Sequence, residues 1–474
     1  MPELHDLGLL DQAAAVRDRS VSPVELVEHY LGRIERLGDS VGAFVTVTAE
    51  SALDAARAAE QRLADGGADL PALFGVPTAI KDLNLVAGAP TRFGTSAMPP
   101  VDLGVDDAVS AKLKAAGLIS LGKTNTPEFG LPCYTEPDPD IAPPARTPWD
   151  LDRSAGGSSG GAAAAVAAGL VPAAQGSDGG GSIRIPASVC GLFGVKPSRG
   201  RVSNAPASSE ISGLAVNGPL ARTVRDAAAL LDAMAGPADS DWQWAPPPAA
   251  GSFLAACDGD AGRLRIGRFA TPVIADAAVH PDCLAAYDAA SALLEQLGHE
   301  VVDHTPTYTA DLVPAFETVW SQEFLALPID DAIEARTRPL TRWIRERGRA
   351  TTGAQFYAAL ATLRQAARAE LTATRRFDAV LTPTLAQPPA LVGGLRNDDD
   401  PAADFEAQKR FTPFTAPYNM SGQPAVTVPL FCDDAGLPIG VQLVGRPYGE
   451  EILLRLAAQL EEARPWSARR PECW

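Results

Sequence analysis

The chain has 474 residues, 46% hydrophobic and 21% charged, which fits a globular protein long enough to bury a large core. Its 40 basic and 58 acidic residues give a net charge of −18, which repels phosphate backbones and anionic membranes and argues against nucleic acid as a direct partner. The six cysteines are too scattered for a disulfide framework or a close metal-ligand pair, no long apolar window marks a spanning helix, and MPELHDLGLLDQ lacks a signal-peptide pattern, so cytoplasm is the expected compartment.

In chain order, Ser22-Pro23-Val24-Glu25 reads as a capping box with proline at the first helical position, predicting an amphipathic helix to about Leu37. A helix over Ser51 to Leu63 follows, then short apolar strands at Val76–Ile80 and Leu118–Leu121 with the helix AVSAKLKAAG between them. The glycine-rich GGSSGGAAAAVAAGLVP (156–172) opens another helix, with a strand expected from Leu170 to Gln175. Later come a strand at Leu264–Ile266, a helix at Pro281–Leu297, a strand at Val301–Val302, a long helix from Ala354 to Arg375 and a strand at Ala379–Leu381. The end supplies strands at Ala425–Val428 and Gly440–Val444 and a helix from Glu450 to Glu462. Strands interleaved with helices predict the α/β class. Segments 239–252 and 386–402, rich in Pro, Gly and acid, read as loops, and there is no internal repeat.

Residues 117–124, GLISLGKT, fit the phosphate-loop pattern, but the strand residues lie inside the motif and Asn125-Thr126-Pro127 follows it. The expected role is a strand running into a turn. A dinucleotide site at 156–172 is disfavoured too, because ARTPWDLDRSA before it is no buried strand. A helix of about 11 residues covers about 16 Å, and a six-residue strand covers about 20 Å. If the two run antiparallel, Ser158 and Ser159 return beside Ser182, at the end of the glycine run in QGSDGGGSIRIPAS (175–188).

A serine so placed needs a base. The five histidines (His5, His29, His280, His299 and His304) sit in ordinary helix, strand-edge or N-terminal contexts and are expected at the surface. Lys81 ends the apolar strand in FGVPTAIKD. By itself it reads as a solvated lysine beside Asp82. Buried, it would lose its proton and become a competent base.

Together these segments resemble the amidase signature family, serine hydrolases with a Ser–cisSer–Lys triad. The resemblance runs nearly end to end, through VSPVELVEHYLGRIERL, GVPTAIKD, GKTNTPEFG, TPWDLDRSAGGSSGG, GSDGGGSIRIPASVCGLFGVKPSRGRVS, FDAVLTPT, NMSGQPAVTVP and GLPIGVQLVGRP. It implies one α/β/α domain over 1–474 around a mixed central sheet, setting aside the length-based prior of about three domains. It implies Ser182 as nucleophile, Ser158 on a cis peptide bond and Lys81 as base. The backbone N–H groups around Gly179, Gly180, Gly181 and Ser182 are expected to hold the oxyanion, each worth about 3–4 kcal/mol in the transition state. Asp178 and Arg184 are expected to brace the loop as an ion pair, and Ser159 to fix it. Gly179 departs from the Thr or Ile common in the family.

The implied function is hydrolysis of aryl, aliphatic or cyclic carboxylic amides through an acyl-enzyme on Ser182. No metal or organic cofactor is implied. The expected partner is a small-molecule amide, with no nucleic acid and no membrane, and a homodimer stands open beside a monomer. The alternative within the family is an amidotransferase subunit releasing ammonia from glutamine for tRNA-dependent amidation. Such subunits usually carry Gln where this chain has Ile185, and a Tyr-rich segment absent here. A nucleotide-binding protein and a non-catalytic relative are the other rivals. Residues 126–147 are expected to wall the pocket, with Glu136, Asp138 and Asp140 repelling anionic ligands. That wall predicts neutral or weakly cationic amides with an apolar or aryl group and poor use of free glutamine.

Overall fold

The computed structural model describes residues 3–66, 69–206 and 211–474. Among them, eleven strands join one sheet. The first six are β1 (Phe44–Val47), β2 (Pro77–Lys81), β3 (Ile119–Thr124), β4 (Ala173–Asp178), β5 (Phe193–Lys196) and β6 (Val216–Ala221). The rest are β7 (Arg265–Arg268), β8 (Glu300–Asp303), β9 (Ala379–Pro383), β10 (Ala425–Cys432) and β11 (Pro438–Gly445). Their spatial order is β1-β3-β2-β4-β6-β5-β10-β11-β9-β7-β8. β2 lies parallel to β3 and β4, and β7 parallel to β8 and β9, while the remaining neighbours are antiparallel. The sheet is therefore mixed, as expected.

Helices cover both faces. On one, Val224–Met234, Pro281–Gln296 and Glu450–Ala463 bury leucine, alanine and aromatic side chains against the sheet. On the other lie Pro23–Val41, Ala49–Ala64 and Gly160–Ala167. The Ser22 hydroxyl accepts from the Glu25 N–H at 3.0 Å and the Glu25 carboxylate accepts from the Ser22 N–H at 3.3 Å, so the predicted capping box is formed. Gly160–Ala167 has every residue buried, and only glycine, alanine and one valine side chain let a helix sit that close to β4. A third apolar cluster lies beyond the serine loops. There Leu312–Leu325, Pro339–Arg349 and Gly353–Thr374 pack around Phe129 and Leu131.

Three readings need correction. The helix after the first glycine-rich loop has 8 residues, and the strand starts at Ala173, not Leu170. Pro172 has no N–H to give a sheet ladder, so Leu170 and Val171 are spent on the turn. The phosphate-loop look-alike is strand β3 through to Thr124, with no turn inside it. Its Lys123 is fully buried, paired with Asp82 at 3.1 Å and donating to the Thr91 hydroxyl at 2.7 Å. No helix among the described residues is long and apolar enough to cross a membrane.

Candidate active site

Lys81 is the last residue of β2, which lies between β3 and β4 and brings the side chain into the molecule with no solvent exposure. Its Nζ donates to the Ser158 Oγ at 2.9 Å and to the Ser177 Oγ at 3.0 Å. Its backbone N–H donates to the Gln175 side-chain carbonyl at 2.8 Å, which fixes the direction of the strand end. Burial lowers its pKa to about 7, against a smaller opposing pull from the Asp178 charge. The solvated reading with Asp82 is overturned, since Asp82 belongs to Lys123.

Ser158 follows a cis peptide bond from Gly157. A side chain at Gly157 would come within 2.7 Å of the Tyr134 backbone, so only glycine lets the two segments lie this close. The Ser159 N–H donates to the Ser182 carbonyl at 3.2 Å, and its hydroxyl donates to the Ser177 carbonyl at 3.0 Å. Ser159 thus stitches the 156–160 loop to the glycine run, bringing Ser158 and Ser182 into one cavity wall. Among the described residues no hydrogen bond joins the Ser158 and Ser182 hydroxyls. Unliganded sites often hold such pairs apart until substrate aligns them.

The glycine run starts where β4 ends. Asp178 and Arg184 are both fully buried and bidentate, at 2.9 and 3.0 Å. Burial pushes the Asp178 carboxyl up, but Arg184, Lys196 and the Asn419 amide together hold it well below the usual carboxylate range. Arg184 also reaches the Thr415 carbonyl at 2.7 Å, Gln442 at 2.7 Å and Asn419 at 2.6 Å. The pair therefore fastens the loop to distant parts of the chain.

One of the four expected oxyanion donors is already engaged. The Gly181 N–H donates to the Asp178 Oδ1 at 2.8 Å, because φ of +137° turns it inward. A Cβ there would meet the Thr415 hydroxyl at 2.5 Å and Ile185 at 2.7 Å, so the position admits only glycine. The N–H groups of Gly179, Gly180 and Ser182 carry no such bond among the described residues. The extra glycine at 179 opens space: an added Cβ would touch the Trp320 ring at 3.4 Å.

Ser182 lies between a cavity of about 540 Å³ and a recess of about 60 Å³. Leu83, Phe129, Trp320, Phe324, Leu327 and Phe356 give the larger cavity an apolar, aromatic wall, with Ser158, Ser177, Gly179 and Ser182 at its reactive end. Of 126–147, Phe129 and Gly130 line the cavity and Leu131 and Cys133 the recess, so the wall was placed correctly. The three acids do not line either. Glu136 accepts from the Gly393 N–H at 2.8 Å, Asp138 accepts from the Ser96 hydroxyl, and Asp140 is exposed. The charge argument built on them fails.

The Trp320 and Phe324 part of the wall escaped the sequence reading, because Leu312–Leu325 was not recognised as a helix. Its signal was present: Phe316, Trp320 and Phe324 recur every four residues, and their rings pack with centroids 5.5 and 5.1 Å apart. Ser177, the second partner of the lysine, was also missed. None of the five histidines lines the cavity. Contrary to the surface expectation, His5, His299 and His304 are buried, each with a polar partner: His29 at 3.0 Å, Gln459 at 2.8 Å and Glu370 at 2.7 Å. Among the described residues no cluster of three His, Cys, Asp or Glu side chains is placed to hold a metal.

Comparison with known proteins agrees with this arrangement. The profile of the Amidase family matches residues 25–454. The 6-aminohexanoate-cyclic-dimer hydrolase of Paenarthrobacter ureafaciens is 37% identical over 484 aligned residues, covering 97% of this chain and 95% of that protein. A solved structure of 6-aminohexanoate cyclic dimer hydrolase with substrate superposes with a TM-score of 0.90 at 32% identity, covering 99% of this chain and 100% of the other. A bacterial aryl acylamidase of the amidase signature family gives 0.84 at 29% identity, covering 98% and 97%. Nothing in these comparisons specifically supports the amidotransferase alternative. A buried lysine against paired serine loops, on a sheet shared with these enzymes and matched over nearly its whole length, places the chain in the amidase family, as a hydrolase of carbon–nitrogen amide bonds.

Proposed function

We propose that the chain hydrolyses amides through an acyl-enzyme on Ser182, with Lys81 as the base and Ser158 as the relay between them. The observation that carries this is the 2.9 Å contact between the buried Lys81 Nζ and the Ser158 Oγ. A lysine whose pKa lies near 7 is about half neutral at neutral pH and can take a proton. As the Ser182 Oγ bonds to the substrate carbonyl carbon, its proton passes to the Ser158 Oγ, and the Ser158 proton passes to Lys81. The carbonyl oxygen, now negative, meets the N–H groups of Gly179, Gly180 and Ser182. The relay then runs in reverse: Ser158 protonates the leaving nitrogen and the carbon–nitrogen bond breaks. Water repeats the sequence on the ester and frees the acid.

The cavity wall supports amides with an apolar or aryl body. Cyclic and aryl amides lead the test panel, because relatives are named for a cyclic amide dimer and for aryl acylamides. A fluorophosphonate should label Ser182 stoichiometrically, read by peptide mass spectrometry, and Ser182→Ala should abolish both labelling and turnover. Labelling at Ser159 or Ser177 in place of Ser182 would overturn the assignment. Faster turnover of free glutamine than of any aryl or aliphatic amide would bring back the amidotransferase reading.

A further inference from the structure

Two spaces of very different size meet at the nucleophile. Ser182 and Trp320 line both the cavity of about 540 Å³ and the recess of about 60 Å³, and so mark the boundary between them. The glycine run divides at the same place, with Gly179 on the cavity and Gly180 on the recess. Ser158 lines the cavity and is not among the described residues that line the recess. A Cβ built on Gly130, another cavity residue, would stand 3.2 Å from the Ser158 Oγ, so the relay hydroxyl lies on the cavity side of the nucleophile. Ile185, Ile274, Phe316 and Phe405 give the recess an apolar wall. Its polar residues are already engaged. Gln408 accepts from the Cys133 N–H at 2.9 Å and donates to Asp404 at 2.6 Å, and the Thr412 hydroxyl donates to the Gln408 carbonyl at 3.0 Å. Lys409 pairs with Glu317 at 2.6 Å and with Glu406 at 2.5 Å.

We propose that the two arms of the substrate divide at Ser182, a short acyl chain entering the recess and an apolar or aryl amine filling the cavity. The proposal rests on the acyl-enzyme reading above and adds which side of the scissile bond carries the bulk. The direction follows from the proton. Ser158 protonates the leaving nitrogen, so that nitrogen stands on the Ser158 side and the group it carries extends into the cavity. The acyl arm is left with the other side. A water-sized group occupies about 10–15 Å³ of such space, so the recess takes an alkyl chain of roughly one to three carbons beyond the carbonyl. Free glutamine carries its bulk and both its charges on the acyl side, the opposite arrangement, and should be a poor substrate. A ring that joins the acyl and amine arms cannot be divided in this way, so cyclic amides should rank below open-chain ones.

The test compares kcat/KM for two isomers, N-benzylacetamide and N-methyl-2-phenylacetamide. Both release an alkyl amine, so the chemistry at the carbonyl is closely matched and the side that carries the ring is what differs. N-benzylacetamide should be favoured by roughly tenfold or more, the scale of a group too large for a closed pocket. Along N-benzyl amides from acetyl to hexanoyl, kcat/KM should fall by about tenfold beyond butyryl. Ile274→Ala widens the recess and should move that fall to longer acyl chains, leaving the response to the amine as it was. Ile274→Val should give a smaller shift in the same direction, and serves if the alanine variant does not fold. Phe356→Ala, on the cavity wall, should change the response to the amine and leave the acyl cut-off in place. A merely structural Ile274 would lower every chain length alike with the cut-off unmoved, which would overturn the proposal. Equal rates for the two isomers, or a preference for N-methyl-2-phenylacetamide, would overturn it as well. Absence of turnover across a broad amide panel, with no fluorophosphonate label on Ser182, would instead remove the acyl-enzyme reading on which it stands.

Discussion

In the proposed relay, Lys81 loses its charge as the proton concentration falls, and the sign of that titration predicts the pH dependence of turnover. Burial lowers its pKa to about 7, so below that pH the amine is protonated and cannot accept from Ser158. Activity should therefore rise through about pH 7 and level off above it, well below the alkaline range of a free lysine. A kcat/KM profile against pH checks this, and a rising limb near pH 10 would remove Lys81 from the role. Lys81→Arg should be inactive at every pH, since guanidinium stays charged. Asp178→Asn leaves the fully buried Arg184 without its counter-charge, a loss of about 3–5 kcal/mol that urea unfolding would register. The candidate residues Lys81, Ser158, Ser182 and the Asp178–Arg184 pair each lie in a short motif, so the sequence could single them out before the structure brought them together. The Ser177 contact and the engaged Gly181 N–H depend on angstrom-level loop geometry, which residue type does not encode.

Elements with a clean hydrophobic period and a cap were also legible, such as Pro23–Val41 with its capping box and Gly353–Thr374. Others were hidden by their own composition. β6 reads VNGPLA, and its Pro219 and Gly218 argue against a strand, yet it pairs with β4 along its full length. Tertiary neighbours, not propensity, hold it there. The glycine run is an element in its own right, and Gly181→Ala should damage it twice, through a left-handed φ and through the clash with Thr415. Loss of at least about 1–3 kcal/mol in thermal or urea unfolding is expected, with turnover falling in the folded fraction. In the Leu312–Leu325 helix, Trp320→Ala should raise KM for an aryl amide by roughly three- to tenfold, the scale of one aromatic contact. An aliphatic amide of similar length should suffer less.

Across the whole molecule, the site draws on residues from 81 to 442, so no fragment contains it. β10 and β11 lie inside the sheet, between β5 and β9. A chain ended at Gln423 would open two unpaired edges at once, and should be recovered as aggregate, not as a folded amidase. Solubility and far-UV circular dichroism of that truncation decide it. The α/β class and the mixed sheet were readable because strands and helices alternate. The strand order was not, because the chain skips from β4 to β5, returns to lay β6 between them, and reaches β10 only after β7, β8 and β9 are placed. The Asp178–Arg184 clamp joins the end of β4 to Thr415, Asn419 and Gln442, and so ties the glycine run to the most distant strands of that path. Deuterium would see this clamp as a contrast between neighbours. The Gly181 amide, bonded to a buried carboxylate, exchanges only when those remote segments let go, whereas Gly179 and Gly180, two and one residues away, can exchange from the folded state. A covalent acyl analogue on Ser182 would then slow the fast pair and leave Gly181 as it was, making three consecutive glycines a built-in meter of which amides the oxyanion uses.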